Sequence, residues 1–414
     1  MKAHVLVTGG LREVHKKLLA LGARLTLMIN IPYITQEDIH MYERVIGLPI
    51  AATDEEWIEV AALINRIDPF IALGGFSEGV QRQTALIARV LDLPFHRLEI
   101  VDMVARKELM RQRLVDAEVD PTPAHIVQTN EEIKAFAAEY GYPLILKPND
   151  GRGSTGILRI SSADTVAVAL TRFQEFTPQS ALFSNAHFDM LVEPYLQGDE
   201  LSVEAFSENG KHKVIAITQK FKEADTFIEI GHCIPASLTP QVASKIEHLV
   251  FQALTALEIA SGPSHTEIIL TDAGPRIVET HIRLGGDCIP ELIQLVYGID
   301  LLDLWARQVL GESVWHALPE VVSTHTCAAI WYVSLLPPGV VKNVSGVEEA
   351  RDVSCIHDVH ILKNEGDVLG NVKNSFTRGA YAIATASSPD KALSSARMAT
   401  ECLTFEIAEN EEKE

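Results

Sequence analysis

The sequence is poor in positive charge. Its 56 Asp and Glu face only 35 Lys and Arg, a formal net charge of −21. That balance excludes general binding to nucleic acid or to an anionic membrane, because both partners are themselves negative. A local basic patch for phosphates stays compatible with it. Cysteine is scarce as well. Cys233, Cys288, Cys327, Cys355 and Cys402 are scattered and form no C-x-x-C pair. A disulfide framework and a zinc ribbon are thereby excluded, and reduced thiols in a cytoplasm are expected. No apolar run approaches membrane-span length. The opening MKAHVLVTGG lacks the longer apolar region and cleavage site of a signal peptide, and reads as a short buried strand. Internal repeats and low-complexity stretches are absent. What is present is ordinary for a globular protein, 47% hydrophobic and 22% charged residues. The length of 414 residues is enough for several domains and a large core.

Residues 1 to about 100 alternate strand and helix signals. Strand-like runs at His4–Val7, Leu25–Ile29 and Ile71–Leu73 alternate with helical patterns at Val14–Leu21, Trp57–Ile67 and Gln81–Leu91. Such alternation predicts a parallel sheet with helices on its faces. Ligands in such sheets bind beyond the carboxyl ends of the strands, so Gly9, Gly10, Gly74 and Gly75 are candidate lining residues. No full G-x-G-x-x-G follows the first strand, which argues against a nicotinamide site here.

A helix carrying Lys107, Met110, Arg111 and Leu114 comes next. Asp120-Pro121-Thr122-Pro123 then breaks the chain, because each proline disfavours helix before it. A second helix is predicted around Glu131–Tyr140. Tyr142–Pro148 reads as a strand bearing Lys147, and Asn149–Gly156 contains G-x-G-x-x-G. A dinucleotide fingerprint needs a helix after the glycines. Strand-like Ile157–Ile160 follows instead, so the loop reads as a flap between two strands. No Gly-Lys-Ser/Thr ends it, so it is not a P-loop. Glycines let backbone N–H groups approach phosphates closely, and Ser154 and Thr155 add hydroxyls. A mobile hairpin loop is the plainer alternative. Met190–Leu196 runs into Gln197-Gly198-Asp199-Glu200. Pro194 lacks a backbone donor, which favours a hinge over a central strand. Thr226–His232 places an acid and a histidine among apolar residues. Helices are expected at Gln241–Leu257, Ile289–Tyr297 and Leu301–Leu310. Strands at Thr326–Val333 and Gly379–Ala384, a helix at Asp390–Leu403 and a frayed acidic tail from Glu406 complete the chain.

His265–Asp287 organises the rest. Two β-branched runs flank Thr271-Asp272-Ala273-Gly274-Pro275, a cluster of turn formers, which predicts a β-hairpin. A turn centred on Ala273 sets Glu267 opposite Glu279 and His265 opposite His281. Alternation then puts Glu267, Glu279, His281 and Arg283 on one face. Facing glutamates repel, so they call for a cation, and hard oxygen ligands suit Mg²⁺ shared with nucleotide phosphates. The bland alternative is a solvated charged face.

In order and kind, these pieces resemble the ATP-grasp superfamily: the lysine helix, the strand lysine with its glycine flap, Glu193-Pro194-Tyr195-Leu196 with the later Glu200, and the acid hairpin ending E-x-x-x-R. The resemblance covers roughly residues 1–310. Gly-His-Cys-Ile-Pro-Ala from Gly231 and Glu-Thr-His-Ile-Arg-Leu-Gly-Gly-Asp from Glu279 are similar to bacterial L-amino-acid ligases, which make dipeptides. The resemblance implies a mixed α/β and α+β architecture. Residues 1–100 would be a Rossmann-like domain, 101–195 a central lid, 196–310 a C-terminal ATP-grasp part with the metal site, and 311–414 an accessory α/β region. It implies ATP and Mg²⁺, or Mn²⁺ in its place, as cofactors, amino acids as substrates, and a homodimer. Lys107, Lys147, Gly153, Ser154 and Thr155 would bind phosphates. Glu193, Tyr195 and Leu196 would line adenine, and Glu200 would hold ribose. Glu267 and Glu279 would ligate the metal. Arg283 would steady an acyl phosphate, with His232 near the reacting carboxyl and Glu229 facing the first substrate's amine. Many family members carry asparagine where His281 stands. Mg²⁺ prefers oxygen, so His281 is expected to face substrate. Asp287, with Glu229, would favour a basic, arginine-like first substrate. Two rivals remain: a carboxylase or purine-pathway ligase on the same fold, and a nucleotide-binding protein without turnover. A protein kinase is excluded by the lack of H-R-D and D-F-G.

Overall fold

The computed structural model describes residues 2–151, 153, 155–175, 189–223, 226–318, 325–370 and 374–408. The chain opens as expected, with β1 (His4–Thr8), α1 (Arg12–Ala20), β2 (Arg24–Asn30), α2 (Gln36–Met41), β3 (Arg44–Leu48), α3 (Asp54–Ile67), β4 (Ala72–Gly75) and α4 (Gln81–Leu91). The four strands pair in parallel in the order β3-β2-β1-β4. β1 is buried along its whole length, which is why it reads as an unbroken apolar run. α3 begins at a capping box in which Thr53 and Glu56 each satisfy the other's backbone N–H. Sequence order turns back between β1 and β4, where ligands in such sheets gather. Gly74 and Gly75 border a separate cavity of about 240 Å³, and Gly9 and Gly10 line neither cavity. The loop after β4 reaches the main cavity through Glu78 instead.

After α5 (Leu98–Ala105) and α6 (Lys107–Asp116) comes a unit made of β5 (His125–Val127), α7 (Asn130–Tyr140), β6 (Leu144–Pro148), β7 (Leu158–Ile160), α8 (Val166–Glu175) and β8 (Met190–Pro194). Its antiparallel sheet has the order β5-β8-β6-β7 and its own apolar core around Ile133, Leu144, Leu146 and Val192. Met190–Pro194 is thus an interior strand, where a hinge was expected. Pro194 is its last residue, so the missing donor falls where the ladder ends.

The remaining elements are β9 (Asp199–Glu208), β10 (Lys211–Lys222), β11 (Glu229–Ile234), α9 (Pro240–Ala256), β12 (Gly262–Thr271), β13 (Gly274–His281), α10 (Ile289–Tyr297), α11 (Leu301–Val309), β14 (Cys327–Val333), β15 (Gly339–Ser345), α12 (Val347–Asp352), β16 (Ile356–Ile361), β17 (Val368–Leu369), β18 (Ala380–Ala386), α13 (Pro389–Cys402) and β19 (Thr404–Ala408). An eight-stranded antiparallel sheet runs β13-β12-β9-β10-β11-β14-β18-β16. Strands from the last hundred residues therefore extend the same sheet that carries the acid hairpin. β17, β15 and β19 form a small separate sheet. Glu406 lies within β19, paired to Asn343. This corrects the expectation of fraying from Glu406, and residues 409–414 lie outside the described ones.

The hairpin register is the expected one: His265 faces His281 and Glu267 faces Glu279. It arises differently, however. Thr271 pairs with Gly274, so the turn is a residue tighter, and a bulge at Val278 restores the offset before Glu279. The backbone beside the bulge is held by side chains. Ile277 N–H donates to Asp120 Oδ2 at 2.7 Å, and Arg111 Nη1 donates to Ile277 O. Gly198 is required by close approach. A Cβ there would lie 2.0 Å from Leu270 O, so only glycine lets the 197–200 turn pass β12.

Candidate active site

A cavity of about 660 Å³ is lined by residues of the β5-β8-β6-β7 sheet and of the eight-stranded one. Lys107, Lys147, Gly153, Thr155, Glu193, Tyr195, Leu196, Glu200, Glu229, His232, Glu267, Glu279, His281, Arg283 and Asp287 all line it. Ser154 lies outside the described residues. The sequence-predicted residues, spread over 180 positions of chain, thus meet in one place.

One end is cationic. α6 turns Lys107, Met110, Arg111 and Leu114 to its buried side, so the face that anchors the helix also delivers two cations. Asn149, just past β6, accepts from Glu108 N through Oδ1 and from Lys107 N through its carbonyl, which fixes the helix start. Lys107 Nζ lies 2.8 Å from Glu279 Oε2 and donates to Gly151 O in the flap at 3.0 Å. Glu193 is buried between Lys147 Nζ at 2.5 Å and Arg111 Nε at 2.7 Å. Burial opposes its ionisation, but the two cations outweigh that and bring its pKa down to about 2. Burial lowers the Lys147 pKa and Glu193 offsets this only in part. Lys107 is raised, because Glu279 outweighs the burial that pushes it down. Arg111 Nη2 and Thr155 Oγ1 are buried without a hydrogen-bond partner among the described residues. Donors left over in a cationic pocket suit phosphate oxygens.

Beside this end, Tyr195 N–H donates to Pro143 O, and the Arg159 guanidinium stacks 4.4 Å from the Tyr195 ring centroid. These contacts hold the 195–196 segment at the cavity wall. Glu200 is paired with Lys222, and Lys220 Nζ stands 3.4 Å from it.

Glu267 and Glu279 sit between the two ends. Lys220 Nζ is 2.5 Å from Glu267 Oε1, and it also pairs with Glu229. Behind them, His265 Nδ1 bonds Glu204 Oε1 at 2.8 Å. Burial lowers this imidazole's pKa, but Glu204 outweighs it and raises the pKa to about 9. Glu279 Oε2 is buried, with the Lys107 ammonium 2.8 Å away as its counter-charge. Two facing carboxylates offer the hard oxygen donors that a divalent cation such as Mg²⁺ takes, so the chemistry of these residues fits one. His281 Nε2 is 3.2 Å from Glu279 Oε1, and its Nδ1 is 3.6 Å from Glu78 Oε2. Arg283 Nε donates to the same Glu78 oxygen at 2.9 Å.

At the far end Glu229, His232 and Asp287 bring ligand atoms within 4.8 Å of one another. Both carboxylates are already answered: Lys220 takes Glu229, and Arg378 takes Asp287 through Nη1 at 2.7 Å and Nη2 at 2.5 Å. His232 Nε2 lies 3.0 Å from Asp287 Oδ2. Burial opposes ionisation of Asp287, but the Arg378 and His232 contacts outweigh it and hold the carboxyl well below its usual range. Arg378 thus offsets the charge of Asp287, one of the two acids on which the expectation of an arginine-like first substrate rested.

Sequence reasoning missed Lys220, Arg378 and Glu78, and gave Arg111 no role. Lys220 gave no sequence signal, because its burial on one face of β10 with Ala216 and Thr218 is visible only in the structure. Arg378 and Glu78 lie in turns and acquire meaning only through partners far along the chain.

An ATP-grasp domain model matches residues 140–291, and the model of L-amino acid ligase C-terminal domain 2 matches residues 333–408. Dapdiamide A synthase of Enterobacter agglomerans is 23% identical over 341 residues, 78% of this chain and 77% of that enzyme. Alanine–anticapsin ligase of Bacillus subtilis is 28% identical over 214 residues, 48% of this chain and 45% of that enzyme. The crystal structure of L-amino acid ligase from Bacillus licheniformis superposes with a TM-score of 0.82 at 19% identity, covering 98% of this chain and 99% of that one. A 2-oxoglutarate carboxylase biotin carboxylase domain, solved with MgADP and bicarbonate, shares the fold at a TM-score of 0.74 and 16% identity, covering 99% of this chain and 91% of that one.

Proposed function

Because the chain is an ATP-grasp ligase ending in the C-terminal domain of the L-amino acid ligases, we propose that it joins two amino acids into a dipeptide, with ATP converted to ADP and phosphate. One observation carries the reading. A single cavity is lined by the cations Lys107, Arg111 and Lys147, by the facing carboxylates Glu267 and Glu279, and by Arg283, His232 and Glu229.

In the reaction the carboxylate of the first amino acid attacks the γ-phosphate of ATP, giving an acyl phosphate and ADP. The amine of the second attacks the acyl carbon, and phosphate leaves. Lys107, Lys147 and Arg111 bind and orient the phosphates, and Gly151, Gly153 and Thr155 of the flap border them. Tyr195 and Leu196 border the adenine, and Glu200 accepts from the ribose hydroxyls. Glu267 and Glu279 would hold Mg²⁺, which would supply charge neutralisation at the transferring phosphoryl group. Arg283 stabilises the negative charge that grows on the acyl phosphate and on the tetrahedral species after it. Glu78 holds Arg283 at the cavity wall until substrate arrives. Glu229 faces the first amine, and His232 and His281 border the reacting carboxyl. Closure of the flap excludes water that would hydrolyse the acyl phosphate.

The test is ADP formation from ATP and Mg²⁺ with each amino acid and, separately, with bicarbonate. Release that requires an amino acid supports the ligase. Release that requires bicarbonate instead transfers the reading to a carboxylase on the same fold.

A further inference from the structure

We propose that Arg378 is a specificity-determining residue, a built-in counter-ion that occupies the place of a cationic substrate side chain and restricts the first amino acid to uncharged side chains. The proposal rests on the ligase reading and deepens it. Arg378 comes from the C-terminal region, just before β18, yet it lines the cavity. It is 7% exposed. Its donors are almost wholly committed. Nη1 and Nη2 grip both oxygens of Asp287, Nε donates to Ser375 O at 2.6 Å, and Nη1 also reaches Glu229 O at 3.4 Å. Its guanidinium plane lies 3.8 Å from the centroid of the Tyr332 ring. A bidentate carboxylate and an aromatic face form the kind of socket that recognises a guanidinium.

Two details show the socket is constructed. Asp287 and Cys288 are consecutive non-glycine residues with positive φ, +54° and +61°, a backbone state that persists only where surrounding contacts enforce it. The 375–377 turn that precedes Arg378 also touches the flap. Ser375 N–H donates to Gly153 O at 3.4 Å, and a Cβ on Gly153, itself at φ +60°, would lie 2.8 Å from the Phe376 ring. The residue that answers Asp287 is therefore carried on the segment against which the flap rests. Arg378 answers Asp287 one to one, while Glu229 shares Lys220 with Glu200 and Glu267. A basic side chain would meet Arg378. An acidic one would find its donors already bonded.

The experiment compares full-length wild type, Arg378→Ala, Arg378→Lys and Arg378→Ala/Asp287→Ala. Phosphate release is measured with alanine, leucine, arginine and lysine as substrates, and fragment masses identify the first residue of each product. Wild type should prefer uncharged first substrates. Arg378→Ala should move the ratio of kcat/KM values at least about tenfold towards arginine and lysine, the coupling expected of a desolvated charge pair. Removing Asp287 as well should reverse that move, and Arg378→Lys should move it less. Efficient use of arginine by wild type, or an equal loss on all substrates in Arg378→Ala, overturns the proposal. Methylguanidinium, titrated calorimetrically, gives a readout independent of ligation. It should bind Arg378→Ala and neither wild type nor the double variant. Equal heats in all three, or none in Arg378→Ala, overturn the proposal. Wild type that releases no phosphate with any amino acid defeats the ligase reading, while the methylguanidinium titration still decides the socket. Should Arg378→Ala fail to fold, the ratio in Arg378→Lys decides, and an unchanged ratio overturns the proposal.

Discussion

Glu193→Gln is the perturbation whose size the structure sets most directly. Glu193 is buried with Lys147 on one oxygen and Arg111 on the other. Glutamine keeps the shape and one acceptor but removes the charge, leaving two buried cations unanswered. Breaking a buried pair from one side costs roughly 3 to 5 kcal/mol. The depressed acidity gives an independent figure. A carboxyl brought from 4.5 to about 2 contributes about 3 kcal/mol at neutral pH. The sign follows from the folded value lying below the unfolded one. The contribution is complete above pH 4.5 and is lost as pH falls from there to about 2. Urea unfolding at pH 7, followed by tryptophan fluorescence, should show the variant about 3 kcal/mol less stable than wild type. The gap should close progressively between pH 4.5 and 2, because protonation does to wild type what the substitution does to the variant. ATP should stabilise the variant more than wild type, since its phosphates answer the two freed cations. A gap under about 1 kcal/mol at pH 7, or one that does not shrink in acid, would refute the reasoning.

Three further outcomes are expected. Arg283→Ala should lower ligation on the order of a hundredfold or more while calorimetric ATP binding survives, and equal loss of both would remove its role at the acyl phosphate. Glu279→Gln should abolish Mg²⁺-dependent phosphate release, and full activity in that variant would contradict the metal site. Lys220→Met should cost roughly 3 to 5 kcal/mol, because Glu200, Glu229 and Glu267 lose their shared cation. That loss should be greatest at neutral pH and ease in acid as the carboxyls protonate, and urea unfolding across that range checks it.

Much of this was legible in the sequence because local chemistry carried it. The run of turn formers at 271–275 placed Glu267 opposite Glu279, and alternation put Arg283 on their face. The register came out right through two features that pattern cannot show, a tighter turn and a bulge at Val278. The bulge is fixed by Asp120 and Arg111, residues more than 150 positions away. Long-range pairing likewise explains the misses. Asp287 looked like a free acid because Arg378 is 91 residues further on. Pro194 suggested a hinge because a proline's position within a ladder depends on where the partner strand stops. Glu406, Ile407 and Ala408 looked like the start of an acidic tail, and pairing with β15 makes them strand.

The central claim is amino-acid ligation, and the most direct test is product mass. ATP and Mg²⁺ are supplied with the twenty amino acids singly and in pairs, phosphate release is followed, and products are weighed. The account predicts release that requires an amino acid, together with a mass equal to two amino acids less one water. Phosphate release with no such product, or no release under any pairing, would contradict it.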